Sequence, residues 1–184
     1  MSQAGENKDK IVLVGFMGTG KSTVAAELAA RLGWRCADTD SEVVREQGCS
    51  IAELFESRGE ACFRDAETNA LGRLLACGEP LVIATGGGAV LRERNRRLML
   101  EGAFVAALQA SEAVIVERVR HDRGRPLLAG DPAAKVRELL EKRQGAYDFA
   151  PLQLMTDGLT PEEAAEAVAE AYRGASRLYR ASDL

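Results

Sequence analysis

The run GFMGTGKS at residues 15–22 fits G-x-x-x-x-G-K-[ST], a pattern whose chemistry is phosphate binding. Glycines let successive backbone N–H groups turn inward around phosphate oxygens. A helix opening at the end of the run adds the partial positive charge of its N-terminus. Lys21 then reaches the β and γ oxygens as a point charge, and Ser22 places a hydroxyl on Mg²⁺. A strand–turn–helix corner with incidental glycines explains neither the lysine nor the serine. The nucleotide set is read as Gly18, Thr19, Gly20, Lys21, Ser22 and Thr23, with ATP and Mg²⁺ as cofactors.

A nucleotide cradle does not say what receives the phosphoryl group. Asp38 and Asp40 flank Thr39 shortly downstream. An acceptor hydroxyl needs a carboxylate to orient it and take its proton, and Mg²⁺ needs anionic support. Two carboxylates can divide these tasks. A solvated turn is the bland alternative, and proximity to the cradle favours function.

A third segment is Thr85 followed by Gly86, Gly87 and Gly88. Three glycines leave bare backbone where a substrate can approach closely. An arginine beside them would suit an acidic substrate, because guanidinium pairs with carboxylate through two parallel N–H bonds. The chain has many arginines, and spacing alone does not choose among them. Residues 121–130 are charged, hold two glycines and a proline, and show no period, which reads as a lid loop. A kinase must keep water from ATP, and Arg125 in this loop is placed to neutralise charge on the transferring group. His121 is given no role.

These segments need elements to hold them. Short apolar runs at 11–14, 34–37, 81–84, 103–108 and 152–155 read as buried strands. Helices are expected over 22–32, 41–47, from a capping box at Ser50 and Glu53, and over 59–76, 91–101, 112–120, 132–147 and from Thr160 onward. Residues after about Gly174 read as a polar, frayed tail. Strands alternating with helices imply parallel βαβ units and a doubly wound α/β sheet. Ligands in such sheets sit beyond the carboxyl ends of the strands, where all three segments fall. The chain is read as one domain over 1–184, with an acceptor-binding segment near 40–70 and the lid near 119–131.

Bulk properties narrow the class. Apolar residues make up 46% and charged residues 28%, an ordinary globular balance. The net charge of −4 gives no basic excess for nucleic acid. Any bound anion must therefore be held by a few placed cations. Cys36, Cys49, Cys62 and Cys77 form no C-x-x-C pair, which argues against zinc and for free thiols in a reducing compartment. The polar start has no apolar segment behind it and no run reaches membrane-spanning length, so the expectation is a cytoplasmic protein without membrane association. No long apolar surface stripe stands out, and the expected state is a monomer.

In order along the chain, GFMGTGKST, DTD, FRDAE, TGGGAV and RPLL together resemble shikimate kinase, over about residues 11–173. The resemblance implies a three-layer α/β/α P-loop fold of the nucleoside-monophosphate-kinase type, with a five-stranded parallel sheet. It implies Mg-ATP-dependent phosphorylation of the 3-hydroxyl of shikimate, on the route to chorismate and the aromatic amino acids. By the same resemblance Asp40 holds the shikimate hydroxyls and is the candidate base, and Asp38 supports Mg²⁺ through water with Ser22. Arg64 and Arg143 clamp the carboxylate, with Gly86, Gly87 and Gly88 lining the site, and Arg125 is the lid arginine. Phe55 and Phe63 wall the acceptor pocket. Cys62 stands where the family often has a bulkier residue, and residues 156–159 lack an arginine that some members place near adenine. A gluconate kinase-like enzyme and a non-catalytic sensor of shikimate are the rival readings. The presence of Lys21, Asp40 and Arg125 argues against the sensor.

Overall fold

The computed structural model describes residues 9–120 and 131–182. The elements run β1 (Lys10–Gly15), α1 (Lys21–Leu32), β2 (Arg35–Asp38), α2 (Thr39–Gln47), α3 (Ile51–Ala76), β3 (Leu81–Ala84), α4 (Glu93–Gly102), β4 (Phe104–Gln109), α5 (Glu112–Arg120), α6 (Pro132–Lys142), β5 (Leu152–Met155) and α7 (Pro161–Ser182). The five strands pair in parallel in the order β2-β3-β1-β4-β5. Parallel pairing buries a sheet on both faces, which is why β1 reads as a continuous apolar run. Ile11 and Leu13 pack on one face against Leu28 of α1 and Val168 of α7. Val12 and Val14 pack on the other against Leu71 and Leu74 of α3 and Met99 of α4. This alternation is the period-2 geometry of a strand.

β1 lies between β3 and β4, so the loop after β1 is flanked by the loops after both neighbours. Two satellite cores extend this end of the sheet. Phe16 and Met17 pack with Ile115, Val119 and Val136 under α5 and α6. Val43, Leu54, Phe63, Ala66 and Ala70 bind α2 to α3.

Several boundaries differ from the sequence expectation. The helix from Ser50 and that over 59–76 form one element, α3, broken at Gly59 with φ 78° and ψ 170°. Ser50 and Glu53 close the expected capping box. The segment expected to be helical from 91 begins as a 3-10 turn over Ala89–Leu91 before α4. α6 does start on an Asp131 cap, whose carboxylate accepts from Ala133 and Ala134 N–H, but it stops at Lys142, not near Tyr147. Arg143 is the C-cap, Gly145 at φ 74° continues the turn beyond it, and Arg143 and Tyr147 reach the Gly87 carbonyl at the sheet end. α7 continues past Gly174 to Ser182. One glycine costs a helix only about 1 kcal/mol, and Tyr172 anchors α7 through ring contacts with Trp34 and Phe104. No described helix is long and apolar enough to cross a membrane.

Candidate active site

The phosphate loop joins β1 to α1. Gly18 and Gly20 take φ of 78° and 92°, conformations that L side chains rarely adopt. At Gly15 a Cβ would lie 2.3 Å from the Leu108 carbonyl oxygen, so the β1–β4 pairing itself demands glycine. Three donors converge on the Phe16 carbonyl: Thr19 N–H at 3.4 Å, Thr19 Oγ1 at 2.8 Å and Lys21 Nζ at 2.8 Å. Lys21 is only 9% exposed. Its ammonium is thus held over the loop against a neutral carbonyl, where arriving phosphate oxygens offer a stronger, charge-assisted partner.

Ser22 and Thr23 are exposed on the first turn of α1. The Ser22 hydroxyl donates to Asp38 Oδ2 at 3.2 Å. Asp38 Oδ1 caps α2, accepting from Asp40 and Ser41 N–H at 3.0 and 3.1 Å. The resulting hydroxyl–carboxylate pair is an all-oxygen donor set beside the phosphate loop, which suits Mg²⁺. Thr39 is fully buried, and its Oγ1 accepts from Gly86 N–H at 3.0 Å. That bond fixes the loop after β2 to the loop after β3.

The glycine triplet is where the segments meet. A Cβ on Gly86 would lie 2.6 Å from Asp40 Oδ1 and 2.8 Å from Glu67 Oε1. On Gly87 it would lie 3.3 Å from Arg143 Nη1 and 3.4 Å from both Gly15 O and Met17 N. On Gly88 it would lie 2.6 Å from Nη1 and Nη2 of Arg64. Each glycine therefore faces one expected substrate contact, and Gly87 also faces the phosphate loop. Asp40, Arg64, Arg143 and the cradle are brought together. Arg125 lies outside the described residues.

Both arginines are held. Arg143 is 8% exposed, with Nη1 donating to Gly87 O at 3.3 Å and its guanidinium 5.4 Å from the Phe16 ring centre. The Tyr147 hydroxyl donates to the same Gly87 carbonyl at 2.8 Å, and burial pushes its pKa up. Arg64 donates through Nη1 to Glu67 Oε2 at 2.9 Å and lies over the Phe63 ring. Phe63 in turn packs on Phe55, with ring centres 4.8 Å apart.

Sequence reasoning gave no role to three residues that this geometry makes prominent. Glu67 has no solvent exposure, and its Oε1 accepts no hydrogen bond among the described residues. Burial raises its pKa and the Asp40 charge pushes the same way, against the pull of Arg64 and Arg92. Its signal was its place one helical turn after Arg64. Thr39 was hidden between the two aspartates. Arg118, in the last turn of α5, donates from Nη1 to Gly18 O at 3.0 Å. It lines a cavity of about 200 Å³ with Thr23, Thr156, Leu159 and Pro161. A guanidinium and a proline ring thus line this cavity beside the phosphate loop. Only a long-range contact places Arg118 there.

The sequence model of the shikimate kinase family matches residues 17–173. The chain belongs to the shikimate kinase family. The shikimate kinase of Thermodesulfovibrio yellowstonii is 42% identical over 163 residues, which is 88% of this chain and 94% of that protein. That of Geobacter sulfurreducens is 45% identical over 160 residues, 86% of this chain and 88% of its own. Among solved structures, shikimate kinase from Acinetobacter baumannii in complex with shikimate superposes with a TM-score of 0.84 at 35% identity, covering 90% of this chain and 93% of that one. A gluconokinase from Sinorhizobium meliloti superposes with a TM-score of 0.60 at 23% identity, covering 99% of both chains, a likeness of fold alone. Membership in the shikimate kinase family agrees with what the geometry brings together: a phosphate loop and the side chains that face Gly86, Gly87 and Gly88.

Proposed function

We propose that this shikimate kinase family member transfers the γ-phosphoryl group of ATP to the 3-hydroxyl of shikimate, giving shikimate 3-phosphate on the route to chorismate and the aromatic amino acids. The observation that carries the reading is the convergence at the glycine triplet. A carboxylate, Asp40, and two restrained guanidinium groups, Arg64 and Arg143, face it from different elements, within reach of the phosphate loop.

Phosphoryl transfer passes through a loose transition state, so positioning and charge stabilisation dominate. Lys21 and the loop N–H groups hold the phosphates, and Arg118 with Pro161 frames the base. Ser22 and Asp38 would hold Mg²⁺, which would supply charge neutralisation to the phosphates. Arg64 and Arg143 take the acid's carboxylate, which fixes the ring and leaves the reacting hydroxyl to Asp40. A carboxylate is a weak base toward an alcohol. Asp40 therefore acts mainly by orienting the hydroxyl, and takes its proton late, as the new P–O bond forms. By the resemblance, Arg125 would add to this charge neutralisation.

The test is a coupled ADP-release assay with Mg-ATP against shikimate, gluconate, AMP and no acceptor. Turnover with shikimate alone supports the reading. Turnover with gluconate or AMP and none with shikimate would keep the kinase and overturn the acceptor.

A further inference from the structure

Arg64 has two carboxylate partners of opposite character. Glu67, on Nη1, is 1% exposed, while Glu60 is 64% exposed. Glu60 Oε1 lies 3.3 Å from Nε and 3.3 Å from Nη2, so it spans the side edge of the guanidinium. The other approach is closed. The Nη1 and Nη2 atoms lie so near Gly88 that a Cβ there would come within 2.6 Å of both, and Nη1 is committed to Glu67. The side edge is thus the one facing solvent, and it is the edge that a carboxylate takes through two parallel N–H bonds. Glu60 is also the first residue after the Gly59 break in α3. Its carboxylate can swing outward there without unwinding the helix that carries Arg64.

We propose that Glu60 is a built-in stand-in for the substrate carboxylate: it occupies the side edge of Arg64 and gives it up when the acid binds. This rests on the reading that Arg64 receives the acceptor's carboxylate. Glu60 then keeps the side edge of Arg64 paired between turnovers and lowers the affinity of any acid that must displace it. An exposed ion pair is weak, so the penalty is small: removing the Glu60 charge lowers the KM for shikimate by about two- to fivefold. Because the contact is broken before the transition state forms, kcat and the KM for ATP stay as they were.

The experiment measures steady-state kinetics of wild type, E60Q and E60A with shikimate, together with direct binding of shikimate and of its carboxamide analogue by calorimetry. Both variants should bind shikimate more tightly, show unchanged kcat, and bind the uncharged carboxamide no better than wild type does. A raised KM in both variants would mean that Glu60 orients Arg64 for the substrate, and overturns the proposal. An unchanged KM overturns it too, as does an equal gain for the carboxamide, which would make the effect one of general packing. R64A separates the proposal from the reading beneath it: a KM for shikimate that R64A leaves unchanged removes Arg64 from the acid site and overturns both, whereas a raised KM in R64A with no fall in E60Q overturns the stand-in alone.

Discussion

Substituting the glycine triplet one residue at a time should split the kinetics according to which partner each glycine faces. None of Gly86, Gly87 and Gly88 has positive φ, so alanine is resisted by space and not by backbone conformation. A Cβ at Gly86 starts 2.6 Å from Asp40 Oδ1, and contacts below 3.0 Å are essentially never seen. The Asp40 carboxylate must therefore retreat by several tenths of an ångström. A misplacement of 1 Å at a reacting centre costs about 10²-fold in rate, which puts the loss in G86A at about 10- to 100-fold in kcat. The same substitution at Gly88 drives into Nη1 and Nη2 of Arg64, again from 2.6 Å. Losing one charge-assisted hold on the substrate costs about 1.5–3 kcal/mol, so G88A should raise the KM for shikimate by roughly 10- to 100-fold and leave kcat much less affected. Gly72, in α3 with nothing within 4 Å of its would-be Cβ, is the control: G72A should be active and equal or slightly greater in stability. Steady-state kinetics with each substrate varied, on variants checked by thermal melting, gives the answer. A kcat defect in G88A with a KM defect in G86A, or equal defects in both, would refute the assignment of partners.

Asp40→Asn should lose most of kcat while ATP binding, read by calorimetry, is retained; near-normal kcat would remove Asp40 from the chemistry. Thr39→Val keeps the shape of a buried side chain but leaves Gly86 N–H without its acceptor, and should cost about 1–2 kcal/mol in urea unfolding. Stability equal to wild type would mean that this bond does not tie the two loops. Glu67 has a folded-state pKa raised above its ordinary 4.5. The folded chain therefore holds the proton more tightly than the unfolded chain does. The stabilisation is complete below pH 4.5 and is lost as pH rises through the raised value. Unfolding curves at several pH values should show wild-type stability falling relative to E67Q across that window, and a constant difference would contradict the assigned direction.

Much of this was legible in the sequence because local rules and global fold agree there. The apolar run at 11–14, the glycines of the phosphate loop and the lysine with its following serine each point to the same strand–loop–helix corner, and the structure places them so. The aspartates and the glycine triplet were legible as residues at strand ends. What joined them was not. Thr39 reads as an ordinary residue until the β2–β3 pairing brings it to Gly86. Glu67 reads as one more charge on a helix, and only packing shows it to be fully buried beside Asp40. The Arg118 contact with Gly18 spans a hundred residues of chain, beyond the reach of any local pattern. The end of α6 was missed because Arg143, Gln144, Ala146 and Tyr147 can all continue a helix, and the one exception, Gly145, costs a helix little by itself. The turn is set by tertiary contacts of Arg143 and Tyr147 with Gly87.

The central claim is tested most directly by identifying the product. The purified protein is incubated with Mg-ATP and shikimate, and the mixture is read by phosphorus and proton NMR. The account predicts one new phosphate monoester, coupled to the ring proton at carbon 3 and formed in equal amount with ADP. ADP without a shikimate phosphate, or a phosphate on another hydroxyl, would contradict it.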